Sequence, residues 1–329
     1  MKHDPDAIAA LVTGLGDGSW HAGPELAQSL GVSRSAIWKR MHALEEMGLQ
    51  PERDRRRGYR LPAVSKALSV AGIRRGLKLP ARLRDMEIEV LPIVESTNDR
   101  LLREPAGPAL RVCLAEYQTR GRGRRGRNWS GVYGASLLLS WGIRFTVAPP
   151  DLQALGLVTA LAANRALARL GFPPPGIKWP NDLVYGRRKL GGILVELSGE
   201  AGGPLWCVTG LGLNVDLASC PPMTDGLAPV SLESVAPGVP RDRNVIARCL
   251  IEEWIQALEV FEVQGFRPFR DSFREADVLS GQPVVLHEPA GTRTGWARGV
   301  RGDGALWFET ASGSREALIA GEVSIRLPA

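Results

Sequence analysis

Over the first sixty positions apolar residues recur at helical spacing. Ile8, Leu11, Val12 and Leu15 stand at i, i+3, i+4 and i+7 behind Asp4-Pro5-Asp6, the start signal for a first helix. Leu26, Ala27 and Leu30 face inward on a second helix, which begins at Gly23-Pro24 and stops at Gly31. Ser33 caps a third, with the stripe Ile37, Met41 and Leu44, ending near Gly48. Helix, tight turn with Gly31, then helix spells a helix-turn-helix. Arg34, Ser35, Trp38, Lys39 and His42 lie on the outward face of its third helix. The arginine-rich run Arg53 to Pro62 that follows reads as a basic β-hairpin, the wing of a winged helix.

From about residue 86 the pattern changes to mixed α/β. Strands are expected at Met86–Leu91, Val112–Glu116, Ala135–Trp141, Val184–Tyr185, Lys189–Leu197 and Trp206–Asn214. Ser96-Thr97-Asn98-Asp99 caps a short helix, Arg100–Arg103. Residues 151–170 are apolar nearly all round, which predicts a buried helix. A long helix over 243–264 carries Leu250, Trp254, Leu258 and Phe261 on one face and closes at Gly265. Trp141 and Trp254 are expected in the core. Beyond Gln282 only short strands remain, at Pro283–His287, Gly295–Val300, Ala305–Glu309 and Ala317–Leu327. Gly302-Asp303-Gly304 and Ser312-Gly313 turn between them, and the whole predicts a small β-barrel of about fifty residues.

Composition narrows the class. The chain has 329 residues and a formal net charge of +6, and its length suits two or three domains. Residues 65–84 hold six basic groups and no acid, read here as the solvated face of a linker helix. Residues 118–130 hold five arginines and no acid, and the first 64 residues are only one charge positive. Four cysteines, Cys113, Cys207, Cys220 and Cys249, lie far apart with no C-x-x-C pair, which predicts reduced thiols. No apolar run reaches the roughly 18 residues of a spanning helix, and no signal-peptide core opens the chain. Secreted and membrane readings are set aside and a cytoplasmic protein is expected. His3, His21, His42 and His287 are scattered without ligand spacing, so no zinc site is expected.

Four motifs carry chemistry. Gln118 to Trp129 interleaves glycines, which let a backbone approach a ligand, with arginines, which donate to phosphate or carboxylate. A single such loop between two strands fits a small phosphate-bearing ligand better than a repeated RNA-binding segment. Lys178-Trp179-Pro180-Asn181-Asp182 combines a phosphate-binding cation with groups able to meet ribose, adenine or Mg2+. Arg188 to Glu196 is a basic head on a strand with the pair Gly191-Gly192, and Gly210-Leu-Gly-Leu-Asn214 ends a strand in glycines.

With Ser96-Thr97-Asn98, these motifs in this order resemble the biotin–protein ligases in their bifunctional bacterial form, which also represses biotin-synthesis genes. The likeness runs over almost the whole chain. Gly191 stands where that family commonly has Ala, and Arg120 adds a charge ahead of the Arg/Gly run. The resemblance implies a multidomain α+β chain. Residues 1–64 are a winged helix-turn-helix, 65–85 a linker, 86–278 a class II aminoacyl-tRNA-synthetase-like mixed α/β domain, and 279–329 an SH3-like β-barrel. It also implies two half-reactions: biotin and Mg·ATP give biotinyl-5′-AMP, and a lysine of a biotin carboxyl carrier protein then takes the biotinyl group.

The same resemblance implies roles for single residues. Lys189, Arg122 and Arg124 are the expected catalytic groups and also meet biotin. Ser96, Thr97, Asn98, Gln118, Gly121, Gly192, Ile193 and Gly210 are expected around biotin. Arg124, Arg127, Trp129, Lys178, Asn181, Asp182, Asn214 and Arg326 are expected on the nucleotide side, with Asp182 the candidate for a metal. Arg34, Ser35, Trp38, Lys39, Arg55, Arg56 and Arg57 are expected to meet operator DNA of biotin-synthesis genes. A homodimer formed on adenylate binding is the implied link between the two roles. Two alternatives stay open: a ligase whose N-terminal domain does not regulate, and a transcription factor that senses biotin without catalysis.

Overall fold

The computed structural model describes residues 4–61, 66–103, 108–146, 148–149, 151–199, 204–216, 227–288, 291–319 and 324–326. His3 and Cys220 lie outside the described residues. Cys113, Cys207 and Cys249 are buried free thiols.

Helices α1 (Pro5–Leu15), α2 (Gly23–Ser29) and α3 (Arg34–Glu46) form the first unit. Asp4 caps α1 by accepting from Asp6 N and Ala7 N, and Ser33 caps α3 by accepting from Ala36 N. The residues at helical spacing, Ile8, Leu11, Leu15, Leu26, Ile37, Met41 and Leu44, make one buried cluster. Strands β1 (Glu52–Asp54) and β2 (Gly58–Arg60) pair antiparallel with Glu52 opposite Arg60. Asp54 Oδ1 shapes their turn, accepting from the backbone N–H of Arg56 at 2.9 Å and Arg57 at 2.8 Å. Gly58 is obligatory there: its φ is +96°, and a Cβ would stand 2.1 Å from the His21 carbonyl oxygen. Arg53 Nη2 lies 2.6 Å from Glu45 Oε1 and ties the hairpin to α3.

The stretch expected as a solvated linker is instead built into the next unit. Short helix α4 (Val70–Arg74) follows Leu68, and Leu68, Ile73 and Leu83 are buried in the main core. Three of the six basic side chains in this stretch have partners: Arg82 pairs with Glu259 and Glu262, Lys66 with Asp242, and Arg74 donates to Met86 O. The acid-free run is thus complementary to acids 170 or more residues away, which composition of the run alone does not disclose.

The central unit comprises β3 (Glu87–Val94), α5 (Thr97–Arg103), β4 (Leu110–Gln118), β5 (Ser136–Phe145), α6 (Leu155–Arg169), β6 (Gly176–Lys178), β7 (Asp182–Tyr185), β8 (Arg188–Ser198), β9 (Leu205–Asn214), α7 (Leu232–Val235), α8 (Arg243–Gln264) and α9 (Arg270–Ala276). Among the described residues its seven strands run in the order β3-β4-β5-β9-β8-β7-β6, parallel between β3 and β4 and antiparallel elsewhere. Strand alternation divides the sheet. Leu137, Leu139, Trp141, Leu211, Leu213 and Ile193 join α6 and α8 in the core, where Trp141 and Trp254 stack at 5.1 Å. The intervening positions, Ser140, Gly210, Gly212, Gly192 and Glu196, face the other way. Helix α6 starts later than its apolar run, because Asp151 at φ +58° and a 3-10 turn precede it.

The last unit is a five-stranded antiparallel sheet of β10 (Pro283–Glu288), β11 (Gly291–Val300), β12 (Leu306–Thr310), β13 (Arg315–Leu318) and β14 (Ser324–Arg326). The single strand expected over Ala317–Leu327 is two. β13 pairs with β12, whereas β14 crosses to the opposite edge and pairs with β10. Both halves are apolar-rich, and only the change of partner separates them.

Candidate functional site

Gly192 on β8, opposite Gly212 on β9, and Gly210, opposite both Leu194 and Ser140, pave a strip of sheet without side chains. Each glycine makes room for a specific neighbour. A Cβ on Gly212 would lie 2.4 Å from Trp129 Cε2, and one on Gly210 would lie 2.2 Å from Asn98 Oδ1. The Arg/Gly segment folds back on itself to deliver that tryptophan. Trp129 N donates to Gly121 O at 2.9 Å and Gly123 N to Arg127 O at 2.7 Å. A side chain at Gly121 would meet Trp129 O at 2.3 Å. The tip turns through Arg125 at φ +58° and Gly126 at φ +70°.

Over this strip the expected cations gather. Lys189 Nζ lies 2.6 Å from Asp182 Oδ1 and 5.5 Å from the centre of the Trp129 ring. Asp182 is opposite Gly192 on the adjoining strand. Arg124 reaches Asn181 Oδ1 at 3.3 Å, and burial pushes its guanidinium below its ordinary value while Asp182 pulls it back up. A half-desolvated cation of this kind favours an anion beside it. Asn181 is fixed in turn, donating to Ile193 O at 2.8 Å and accepting at its carbonyl from Ile193 N at 2.9 Å. Trp129 Nε1 is buried without a hydrogen-bond partner among the described residues, close over Gly212.

The second group lies at the start of α5. Thr97 donates through its backbone N and its hydroxyl to Gln118 Oε1 at 2.7 and 2.9 Å. Ser140 Oγ stands 2.7 Å from Thr97 Oγ1 and 2.6 Å from Asn98 Oδ1. Asn98 Nδ2 donates to Glu196 Oε2 at 2.8 Å and to Leu194 O at 3.3 Å. Arg122 grips Glu196 with both terminal nitrogens at 2.7 Å each and also reaches Asp99 at 2.5 Å. Ser96 Oγ accepts from Asp99 N and starts the helix.

Two of the expected residues are placed differently from the rest, buried in contacts with the framework. Lys178 Nζ donates to Ile325 O at 2.8 Å, buried against the C-terminal sheet. Asn214 is buried and gives its amide to Lys189 O and Val230 O. Arg326 is on β14 by its backbone, and its side chain lies outside the described residues. Arg127 is exposed. Glu196, Asp99, Ser140 and Gly212 were not among the expected site residues. Glu196 had one signal, as the acid two steps of strand period beyond Gly192 on an otherwise apolar strand. Trp179, in the same motif as Asn181, has a cis bond to Pro180 and donates its Nε1 to Gly304 O at 3.1 Å. Among the described residues no three His, Cys, Asp or Glu side chains come together as a metal cluster. No helix of the described chain is long and apolar enough to cross a membrane.

In the N-terminal unit, Arg34, Ser35, Trp38 and Lys39 are exposed on α3, Trp38 by 51%. Arg55, Arg56 and Arg57 are exposed at the hairpin turn, with the Arg57 guanidinium 4.2 Å over Trp20. An exposed indole among cations, with a row of arginines on a hairpin, suits a polyanion surface.

Three family models match the chain. Residues 90–214 match the biotin/lipoate A/B protein ligase family, residues 17–60 an HTH domain, and residues 279–326 the biotin protein ligase C terminal domain. The chain is similar to the bifunctional ligase/repressor BirA of Escherichia coli (strain K12), with 35% identity over 320 residues that span 96% of each chain. It is 33% identical to the biotin–[acetyl-CoA-carboxylase] ligase of Mycobacterium tuberculosis, over 72% of this chain and 88% of that one. The biotin protein ligase from Aquifex aeolicus in complex with biotin and ATP is a structural neighbour, with a TM-score of 0.63 and 26% identity, covering 74% of this chain and 99% of that one.

Proposed function

We propose, from the premise that this chain belongs to the biotin/lipoate A/B protein ligase family, that it is a biotin–protein ligase that also represses biotin-synthesis genes. It activates biotin with Mg·ATP to biotinyl-5′-AMP and transfers biotin to one lysine of a biotin carboxyl carrier protein. The observation that carries this reading is the meeting of Lys189, Arg124, Asn181, Asp182 and Trp129 over one glycine-paved strip.

In the first half-reaction a carboxylate oxygen of biotin attacks the α-phosphorus of ATP. The bond from that phosphorus to the bridging oxygen breaks, and pyrophosphate leaves. Two anions must share one site, so cations fixed around it lower the barrier. Lys189 exchanges Asp182 for the biotin carboxylate and the α-phosphate. Asp182 then faces the Mg2+ that enters on the phosphates as part of the substrate. Arg124 and Arg122 hold the phosphate region and keep the loop over the adenylate, excluding water. Thr97, Asn98, Gln118, Gly121, Ile193 and Gly210 shape the biotin side, with Ser96 holding the start of α5. Trp129, Arg127, Asn181 and Arg326 serve the nucleotide side. Lys178 and Asn214 act as framework for the turn that carries Asn181 and the strand that carries Lys189. In the second half-reaction the carrier amine attacks the biotinyl carbonyl carbon, AMP leaves with the bonding pair, and the amine loses its proton.

The central sheet is read as class II aminoacyl-tRNA-synthetase-like and the C-terminal sheet as an SH3-like barrel, with units over 1–64, 86–278 and 279–329. A cytoplasmic location and a homodimer formed on adenylate binding belong to the same reading. The repressor half rests on the helix-turn-helix, its exposed α3 face and its arginine hairpin. The test is incubation of the chain with biotin, Mg·ATP and a carrier domain. Biotinylated carrier is expected, and Lys189→Ala should cut its formation by about 100-fold or more. Equal yield from both proteins would overturn the reading.

A further inference from the structure

The outward side of α3 holds one residue whose chemistry differs from its neighbours. Arg34, Trp38, His42 and Glu45 follow one another at steps of four, four and three, so they line a single stripe of the helix. Ile37, Met41 and Leu44 are buried in the N-terminal core on another side of the same helix. Holding an indole in water is unfavourable, and contact with phosphates does not call for one. Yet Trp38 is the one large apolar side chain exposed among the described residues 4–61.

The indole is also braced. The His42 ring meets it edge-on, with ring centroids 4.3 Å apart. His42 Nδ1 stands 2.9 Å from Glu45 Oε2, and Glu45 Oε1 accepts from Arg53 Nη2 at 2.6 Å. Arg53 is on β1, so a relay of side chains runs from the hairpin strand to the indole. Charge along α3 decides which end a polyanion draws in. Arg34, Lys39 and Arg40 stand in its first half and Glu45 and Glu46 in its last turn, with Arg55, Arg56 and Arg57 exposed on the hairpin. Trp38, in the second turn, lies on the cationic half, the part of such a helix that enters the major groove. On the base edges of that groove the apolar group is the 5-methyl of thymine.

We propose that Trp38 is a sequence-reading residue, whose indole packs on the 5-methyl group of a thymine in the major groove. His42, Glu45 and Arg53 are the positioning relay that aims it. The inference rests on the repressor reading for the presence of an operator. It adds which group of which base is recognised, and by which side chain.

The test begins with a duplex selected from a random-sequence library by the full chain with biotinyl-5′-AMP. Each thymine of that duplex is then replaced in turn by deoxyuridine, which removes the methyl and keeps the hydrogen-bonding edge. Replacement at one position of the recognised site should weaken binding about fourfold, the scale of one buried methyl. W38A should bind the selected duplex about tenfold more weakly and be indifferent to that replacement. W38F, which keeps an apolar ring, should still feel it, and H42A should feel it less than the parent. A parent that binds every uridine duplex as well as the thymine one would overturn the proposal and leave the repressor reading standing. So would a W38A that suffers the same fourfold loss. A selection that enriches no sequence would overturn the repressor reading itself, and the proposal with it.

Discussion

At the scale of single residues, the site is made by what is missing from the sheet. Trp129 lies where a side chain at 212 would be, and its Cε2 stands 2.4 Å from the Cβ position of Gly212. An indole braced by Gly121 at the loop base has no easy path away from an added methyl. Gly212→Ala should therefore shift Trp129 and slow adenylate formation about 10- to 100-fold, as misplacement of groups at a reacting centre does. Pyrophosphate release measures the rate, and an unchanged melting temperature would show that the fold survives. Lys189 illustrates a different economy. Its ammonium stands 2.6 Å from Asp182 and 5.5 Å from the Trp129 ring centre, the partners a substrate anion would replace or join.

At the scale of elements, the junction between α9 and β10 holds a carboxyl out of water. Burial pushes Asp277 up to about 6, against the ordinary 3.8, and its Oδ2 is buried without a partner among the described residues. The folded chain binds that proton more tightly than the unfolded one. Stability therefore falls as pH rises from about 4 through 6, and the deficit is complete above that. Asp277→Asn keeps an acceptor for Leu279 N, which Oδ1 now meets at 2.9 Å. It should stabilise the chain by about 1–3 kcal/mol at pH 7.5 and not at pH 3.5, by denaturation at both values. The hairpin of β1 and β2 makes a second prediction at this scale. Replacing Arg55, Arg56 and Arg57 with Gln should lower the slope of log affinity for operator DNA against log salt by about 0.9 for each phosphate no longer neutralised, read by gel shift with biotinyl-5′-AMP present. The helices around Ile8, Ile37 and Leu250 were legible because one buried face repeats along the chain itself. Short β6, α7 and α9 offer too few turns of any period to register. Lys189, Arg124 and Asn181 are named through the resemblance that the motifs carry. Glu196, Ser140 and the linker's acidic partners on α8 acquire meaning only from contacts between residues far apart in sequence.

At the scale of the whole molecule, one buried ion pair gathers the linker, the sheet and the long helix. Arg243, at the first turn of α8 and 1% exposed, meets Glu116 on β4 at 2.5 Å. Glu116 also accepts from Leu68 N at 2.7 Å, and Arg243 donates to Ser136 O and Lys66 O, each at 3.3 Å. Removing one partner strands a buried charge. Arg243→Ala should cost about 3–5 kcal/mol in denaturant unfolding, and adding Glu116→Gln should recover part of that. The N-terminal unit is joined to the same region: Tyr133 is buried in the cluster of α1 and α3, and its N donates to Met47 O at 3.1 Å. The stretch from Trp129 to Tyr133 thus runs from the glycine strip into the core of the N-terminal helices.

The contacts of Lys178 and Trp179 with the C-terminal sheet set a timetable. Their partners, Ile325 O and Gly304 O, lie 147 and 125 residues further along the chain. At about 5–20 residues per second, a ribosome adds those residues roughly 6 to 30 s after the motif has been made. Through that interval the newborn motif has its ammonium and indole N–H without their native acceptors. On the proposed reading the site is therefore finished only after β14 has been synthesised, and a nascent chain acquires its ligase chemistry late, well after its helix-turn-helix has been able to fold.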